Sequence, residues 1–280
     1  MTAALAALLL LQSVPAPAVL ETRSVSVVVT DGEGRSVTDL APDAIALVEN
    51  GVVRDVVGIA KDERPLTVAI LVDSSQELSS IYRLHLVDAV TALVQALPQG
   101  ARYALWVTGD RPRKLLEVTE DRGAAPAALR RVVPQGGNTL LDALSEVTRE
   151  LKKREGERLA VVAVTGNSTE LSSRDRYRVV EEAGKNADLF LFFAFDEGQA
   201  SFENRTSYDY VMQHLTKEPG GRVLRALTAM GAIKTLPGLA RDLQPALRLT
   251  YETPAGLKDR KLEVQVSRPG LDVRVGAVAK

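Results

Sequence analysis

The chain has 280 residues, 45% hydrophobic and 25% charged, with 35 Lys and Arg against 36 Asp and Glu and a formal net charge of −1. This is the composition of a globular protein of one large or two small domains, which excludes disorder and collagen-like repeats, and its near-neutral charge argues against a nucleic-acid partner held by phosphate contacts. With no Cys and only two His, disulfides, zinc–thiolate and iron–sulfur centres and cysteine nucleophiles are excluded, and a metal would have to be a hard cation on oxygen ligands.

Ala3 to Leu11 are nearly all Ala and Leu, and the run closes in Pro15-Ala16-Pro17-Ala18, small residues at the spacing that signal peptidase accepts. Residues 1–18 are therefore read as a secretory signal cleaved after Ala18, although no Lys or Arg precedes Glu21. No other apolar run approaches roughly 18 residues. The mature chain is thus expected to be secreted or periplasmic, with no stable membrane insertion. Ser24 to Thr30 alternates Val with smaller residues and meets a turn at Asp31-Gly32-Glu33-Gly34, the pattern of a strand. Ala44 to Val48 and Val52 to Ile59 flank Glu49-Asn50-Gly51 and are expected to form a hairpin, because Asn-Gly tolerates the positive φ of such turns.

After Arg64-Pro65 the pattern changes. Leu66 to Val72 is an unbroken apolar run, as for a strand covered on both faces. Ile81, Leu84, Val87, Val90, Val94 and Leu97 recur at helical steps, stopped by Pro98 and Gly100. Strands follow at Tyr103 to Thr108, Leu159 to Thr165 and Leu189 to Phe195. Helices are expected through Leu140 to Leu151, over Arg174 to Lys185 and around Tyr208 to Leu215. This alternation implies an α/β unit with a mainly parallel, doubly wound sheet. Period two returns in Leu247 to Thr253, Leu262 to Val266 and Leu271 to Val275. The expected organisation is a β domain in two parts, 19–62 and 247–280, with the α/β domain 63–246 inserted between them.

Open parallel sheets bind ligands beyond the carboxyl ends of their strands. There the chain places Asp73-Ser74-Ser75-Gln76-Glu77, the loop Gly136-Gly137-Asn138-Thr139, and Thr165-Gly166-Asn167-Ser168-Thr169. Asp73 and Ser75 offer oxygen ligands suited to Mg²⁺. Thr139 either caps the helix it begins or reaches the same cleft.

The run VAILVDSS, the Gly-Gly-Asn-Thr-Leu-Leu-Asp-Ala-Leu loop and the strand VVAVT resemble a von Willebrand factor type A domain. The flanks VTDGEGRSVTDL, IALVENGVVRDV, LTYETP and VSRPGLDVRV resemble those of bacterial secreted VWFA-related proteins. The resemblance implies a metal-ion-dependent adhesion site of an Asp-x-Ser-x-Ser loop, a Thr loop and an Asp loop. It matches Asp73, Ser75 and Thr139 to that pattern. Glu77 stands in place of the second Ser and Gly166 in place of the last Asp, so the site is read as degenerate, with Asp73, Ser75, Glu77 and Thr139 as candidate ligands for Mg²⁺ or Mn²⁺. Asn167, Asp196 and Glu197 also lie at strand ends and are candidate substitutes for the missing carboxylate.

Other chemistry finds little support. There is no Gly-x-Ser-x-Gly elbow, no Walker A loop and no dinucleotide fingerprint, and neither His85 nor His214 has an acid partner nearby in sequence. Trp106 reads as core, and Lys152-Lys153-Arg154 as a solvated helix end. The expected function is a non-enzymatic protein-binding module working through loops 73–80, 136–140 and 166–173, a bound cation leaving one position for an acidic side chain of the partner. The alternatives are a structural envelope component with a dead site, and an enzyme using Asp73 with Glu77.

Overall fold

The computed structural model describes residues 19–279 except 34, 218–220, 245–246 and 258–259, so the leader expected at 1–18 lies outside the described residues. The chain opens with β1 (Leu20–Thr30), β2 (Ile45–Glu49), β3 (Val52–Arg54) and β4 (Val56–Lys61). It continues through β5 (Leu66–Val72) into α1 (Ser79–Ile81), a π-helical turn over Tyr82–Leu86, and α2 (Val87–Ala96). Next come β6 (Arg102–Val107), β7 (Arg113–Thr119), α3 (Ala124–Arg130), α4 (Leu140–Leu151), β8 (Arg158–Thr165), α5 (Arg176–Gly184) and β9 (Leu189–Phe195). The chain ends with α6 (Phe202–Leu215), β10 (Arg222–Ala226), α7 (Ala232–Thr235), a 3-10 segment Leu236–Leu243, β11 (Leu247–Pro254), β12 (Leu262–Val266) and β13 (Asp272–Ala279).

The central sheet is six-stranded in the order β10-β9-β8-β5-β6-β7, parallel except for β7. Every residue of β5 is buried because helices cover both faces. The two-residue side-chain period divides the strand: Val68, Ile70 and Val72 pack with α2, α3 and α7, whereas Ala69 and Leu71 pack with α4, α5 and α6. The fold is an α/β fold of doubly wound type.

The two ends of the described chain pair with each other. β1 lies between β11 and β13, with β4 beyond β11, while β12, β2 and β3 form a second, three-stranded sheet. Val25, Val27 and Val29 from the first sheet and Ile45, Leu47 and Leu262 from the second share one apolar cluster, as in a β-sandwich. Buried Glu49 sits in that unit and accepts from Arg54, Arg260, Tyr251 and Thr253. Where the terminal strands meet the central sheet, the Asp62 carboxylate accepts from Ser26 (3.1 Å), Arg64 (2.7 and 2.9 Å) and Arg248 (3.4 Å). Burial pushes Asp62 upward, but the Arg64 guanidinium outweighs it and holds the carboxyl at about 2.

Two expectations are modified. The hairpin after Asn50 and Gly51, both at positive φ, pairs over Leu47–Glu49 and Val52–Arg54 only, after which β4 leaves for the other sheet. Leu84, placed on the buried stripe by periodicity, is 67% exposed. The π turn adds a residue to the helical repeat and moves the stripe to Tyr82, Leu86, Val87, Val90 and Val94.

Candidate functional site

Asp73 N–H extends the β5–β8 ladder by bonding Val164 O (2.9 Å), which carries the Asp73 side chain just past the carboxyl edge of the sheet. Asp73 is only 1% exposed. Its Oδ1 accepts from Ser75 N–H (3.0 Å); its Oδ2 accepts from Asn138 Nδ2 (3.0 Å), Gly166 N–H (3.1 Å), Ser168 Oγ (3.0 Å) and Thr165 Oγ1 (3.4 Å). Burial raises the Asp73 carboxyl above its ordinary range, while the N–H groups of Ser75 and Gly166 and the hydroxyl bonds pull the other way. These donors supply the compensation that a buried carboxylate requires.

The shell is itself tied together. Ser75 Oγ donates to Ser168 Oγ at 2.7 Å. Asn138, fully buried, donates also to Thr165 Oγ1 (3.1 Å) and accepts from Thr108 Oγ1 (2.6 Å). Its main chain bonds Thr169 O and Leu171 N–H, both at 2.7 Å. Thr139 neither caps α4 nor turns to Asp73: its hydroxyl donates to Thr108 O at 2.8 Å.

Glu77 does a different job from a ligand. One carboxylate oxygen accepts from Thr169 N–H (3.1 Å) and Thr169 Oγ1 (2.5 Å), the other from Gln199 N–H (2.6 Å), so Glu77 joins the loops after β5, β8 and β9. Burial pushes Glu77 up, but the Thr169 hydroxyl and the two N–H groups outweigh it, leaving its carboxyl below the ordinary range. Gly166 is packed under Leu78 and Phe195; a Cβ there would lie 2.6 Å from Leu78 Cδ2 and 2.9 Å from Phe195 Cε2. No side chain fits at that position without movement, least of all a carboxylate.

The candidate substitutes are also engaged or displaced. Asp196 pairs with Arg205 (3.2 Å) and meets Asn167 Nδ2 at 3.5 Å. The cavity beside Asp196, about 330 Å³, is lined by Asn167, Arg205, Asp209 and Arg225 among others, and by neither Asp73 nor Glu77. Glu197 and Glu170 each keep one oxygen sealed from solvent without a hydrogen-bond partner. Burial pushes the Glu170 carboxyl up to about 7, against the opposing bonds from Ser172 and Tyr208.

A cation on Asp73, Ser75 and Thr139 does not fit this donor set. It would have to displace protein donors from Asp73 and break the hydroxyl bonds of Ser75 and Thr139, with one carboxylate in direct reach. Among the described residues no group of three or more His, Asp or Glu is placed to hold a metal ion. Sequence reasoning gave roles to Asp73 and Ser75 but none to Asn138, Ser168, Thr108 and Thr165, although Asn138, Thr165 and Ser168 stand in the segments it placed at the sheet edge. The signal for Asn138 was its place in the loop directly before Thr139.

Four large apolar side chains are exposed at this edge, among polar ones. Leu171 (58% exposed), Phe202 (87%), Leu227 (85%) and Met230 (68%) follow the carboxyl ends of β8, β9 and β10. Asp110, after β6, and Asn167, after β8, both adopt positive φ (57° and 53°).

The profile of the von Willebrand factor type A domain matches residues 68–168, the span from β5 to the Asp73 shell. No curated protein matches the chain. Among solved structures, a von Willebrand factor type A protein from Catenulispora acidiphila is similar over 93% of this chain and 72% of its own, with a TM-score of 0.57 and 10% identity. Proximal thread matrix protein 1 from the mussel byssus, in a form with a zinc-occupied MIDAS motif, is similar over 72% of this chain and 50% of its own, with a TM-score of 0.53 and 13% identity. Over residues 68–168 the chain therefore matches the von Willebrand factor type A domain, and the six-stranded sheet that carries Asp73 has the fold of these similar structures.

Proposed function

We propose that this protein is an exported, non-enzymatic interaction module that binds a protein partner through the carboxyl edge of its type A fold, without a metal ion. The observation that carries the reading is the pairing of a self-satisfied polar centre, Asp73 with five internal donors, with a rim of exposed Leu171, Phe202, Leu227 and Met230. Large apolar side chains exposed along one edge favour a protein surface that covers them. A partner acidic group coordinated to a cation is not part of this mode. Both oxygens of Asp73 and of Glu77 are already bonded within the chain, which leaves no free carboxylate pair for acid–base work and speaks against the enzymatic alternative. The Ala- and Leu-rich residues 3–11 and Ala16/Ala18 support export to the periplasm or beyond.

The test is site-specific photocrosslinking in the native host, with the crosslinker at Phe202 or at Leu171 and a control at Val57 on β4. The reading expects one adduct from the two edge positions, undiminished in chelator, and none from Val57. Adducts that vanish in chelator, or that form equally from Val57, would overturn it.

A further inference from the structure

β7 is the outer strand of the six-stranded sheet and, among the described residues, pairs with β6 alone. Its far side therefore presents main-chain N–H and C=O groups with no strand beside them, a template for strand addition. Natural sheets usually cover or blunt such an edge. Here a groove of about 360 Å³ lies beside it, between β7 and α3.

The groove has an apolar floor and a cationic lining. Leu115, Leu116, Ala124, Ala128 and Val132 supply the floor, with Leu115, Leu116 and Ala128 backed by the main core. The charged residues that line it are Arg113, Lys114 and Arg131, with no carboxylate among the lining residues. Lys114 is held by Glu117 and Glu150 and lies over Trp106. Arg113 and Arg131 are exposed, and neither is in an ion pair among the described residues. Unneutralised Arg at an open strand edge selects for negative charge in whatever pairs there.

We propose that the groove between β7 and α3 is a second docking site, which takes an extended acidic segment of a partner protein as a strand added beside β7. Main-chain bonds to residues 113–116, the part of β7 that lines the groove, supply the pairing, alternate apolar side chains enter the floor, and the intervening carboxylates meet Arg113 and Arg131. The groove starts at the carboxyl edge, where Arg113 lies opposite Val107, and runs away from it along β7; the proposal does not depend on the reading given for that edge.

The test uses fluorescence anisotropy with the full chain and a labelled, end-blocked octapeptide of alternating Glu and Val. Two control peptides carry Lys in place of Glu, or N-methyl groups on alternate residues. The acidic peptide is expected to saturate, and the double variant Arg113→Glu with Arg131→Glu to weaken it by roughly tenfold or more. N-methylation, which removes strand pairing but keeps the side chains, is expected to abolish binding, while Leu171→Asp at the other edge leaves it unchanged. Hydrogen exchange should slow at 113–116 on binding and not at 166–173. No saturable binding, equal binding of the Lys or N-methylated peptide, or protection at 166–173 instead would overturn the proposal. So would concentration-dependent protection of 113–116 without peptide, which would assign the edge to a second copy of the chain.

Discussion

Replacing Asn138 by Ala tests whether the amide is a structural keystone of the edge. The variant removes the bond to Asp73 Oδ2 and that to Thr165 Oγ1, and it takes the acceptor from Thr108 Oγ1, all inside a site where Asn138 is fully buried. A hydrogen bond to a charged group contributes about 1.5–3 kcal/mol, and a buried hydroxyl left without a partner costs about 1–3 kcal/mol. The expected loss is thus about 3–5 kcal/mol, a large fraction of a domain's typical stability of roughly 5–15 kcal/mol. Urea unfolding at pH 7 measures it, with an unchanged m-value reporting that the native surface is preserved. Asn138→Asp keeps the volume but turns the donor into a second anion beside Asp73, and is expected to cost at least as much. A loss below about 0.5 kcal/mol for Asn138→Ala, the range of an ordinary surface substitution, would refute the assignment of this network as a held unit.

Three further outcomes follow from the same geometry. Glu170 is raised to about 7 from 4.5, so the folded state holds its proton more tightly; its contribution is complete below pH 4.5 and is lost as pH rises through 7. Glu170→Gln should therefore flatten the stability–pH curve between those values and raise stability at pH 8 by up to about 3 kcal/mol, read by urea unfolding across pH. Asp62 runs the opposite way: held at about 2 against 3.8, it stabilises above pH 3.8 and loses that contribution as pH falls through 2. Asp62→Asn should remove about 2 kcal/mol at pH 7 and little at pH 2. Gly166→Ala pushes a methyl against Leu78 and Phe195 and should lower the urea midpoint by the equivalent of about 1–3 kcal/mol, with no change expected if those side chains swing aside freely.

The parts of the fold that were legible in sequence are those where one physical signal dominates. Leu66 to Val72 and Leu189 to Phe195 are apolar throughout because both faces of the sheet are covered, and they form β5 and β9 as expected. β7 escaped because its half-buried residues at the sheet edge show neither alternation nor a full apolar run, and α3 escaped because its seven residues carry little more than Ala. Leu84 was misplaced because a π turn shifts the helical phase without leaving a mark in residue type. In the site, Asp73 and Ser75 were visible as neighbours on one loop. Asn138 and Ser168 reach Asp73 from 65 and 95 residues away, so their bonds exist only once three loops are brought to one edge. Glu77 was visible as a carboxylate, but its use as a tie between loops depends on where Thr169 and Gln199 are carried by β8 and β9.

The Asp73 shell is proposed to work without a cation. Its most direct test is calorimetric titration of Mg²⁺ and of Mn²⁺ into the chelator-stripped chain, beside Ser75→Ala, whose hydroxyl bond to Ser168 is lost. No saturable binding by either protein is expected up to about 10 mM metal, and no rise in thermal midpoint on adding it. One-site binding by the native chain that disappears in Ser75→Ala would contradict that proposal.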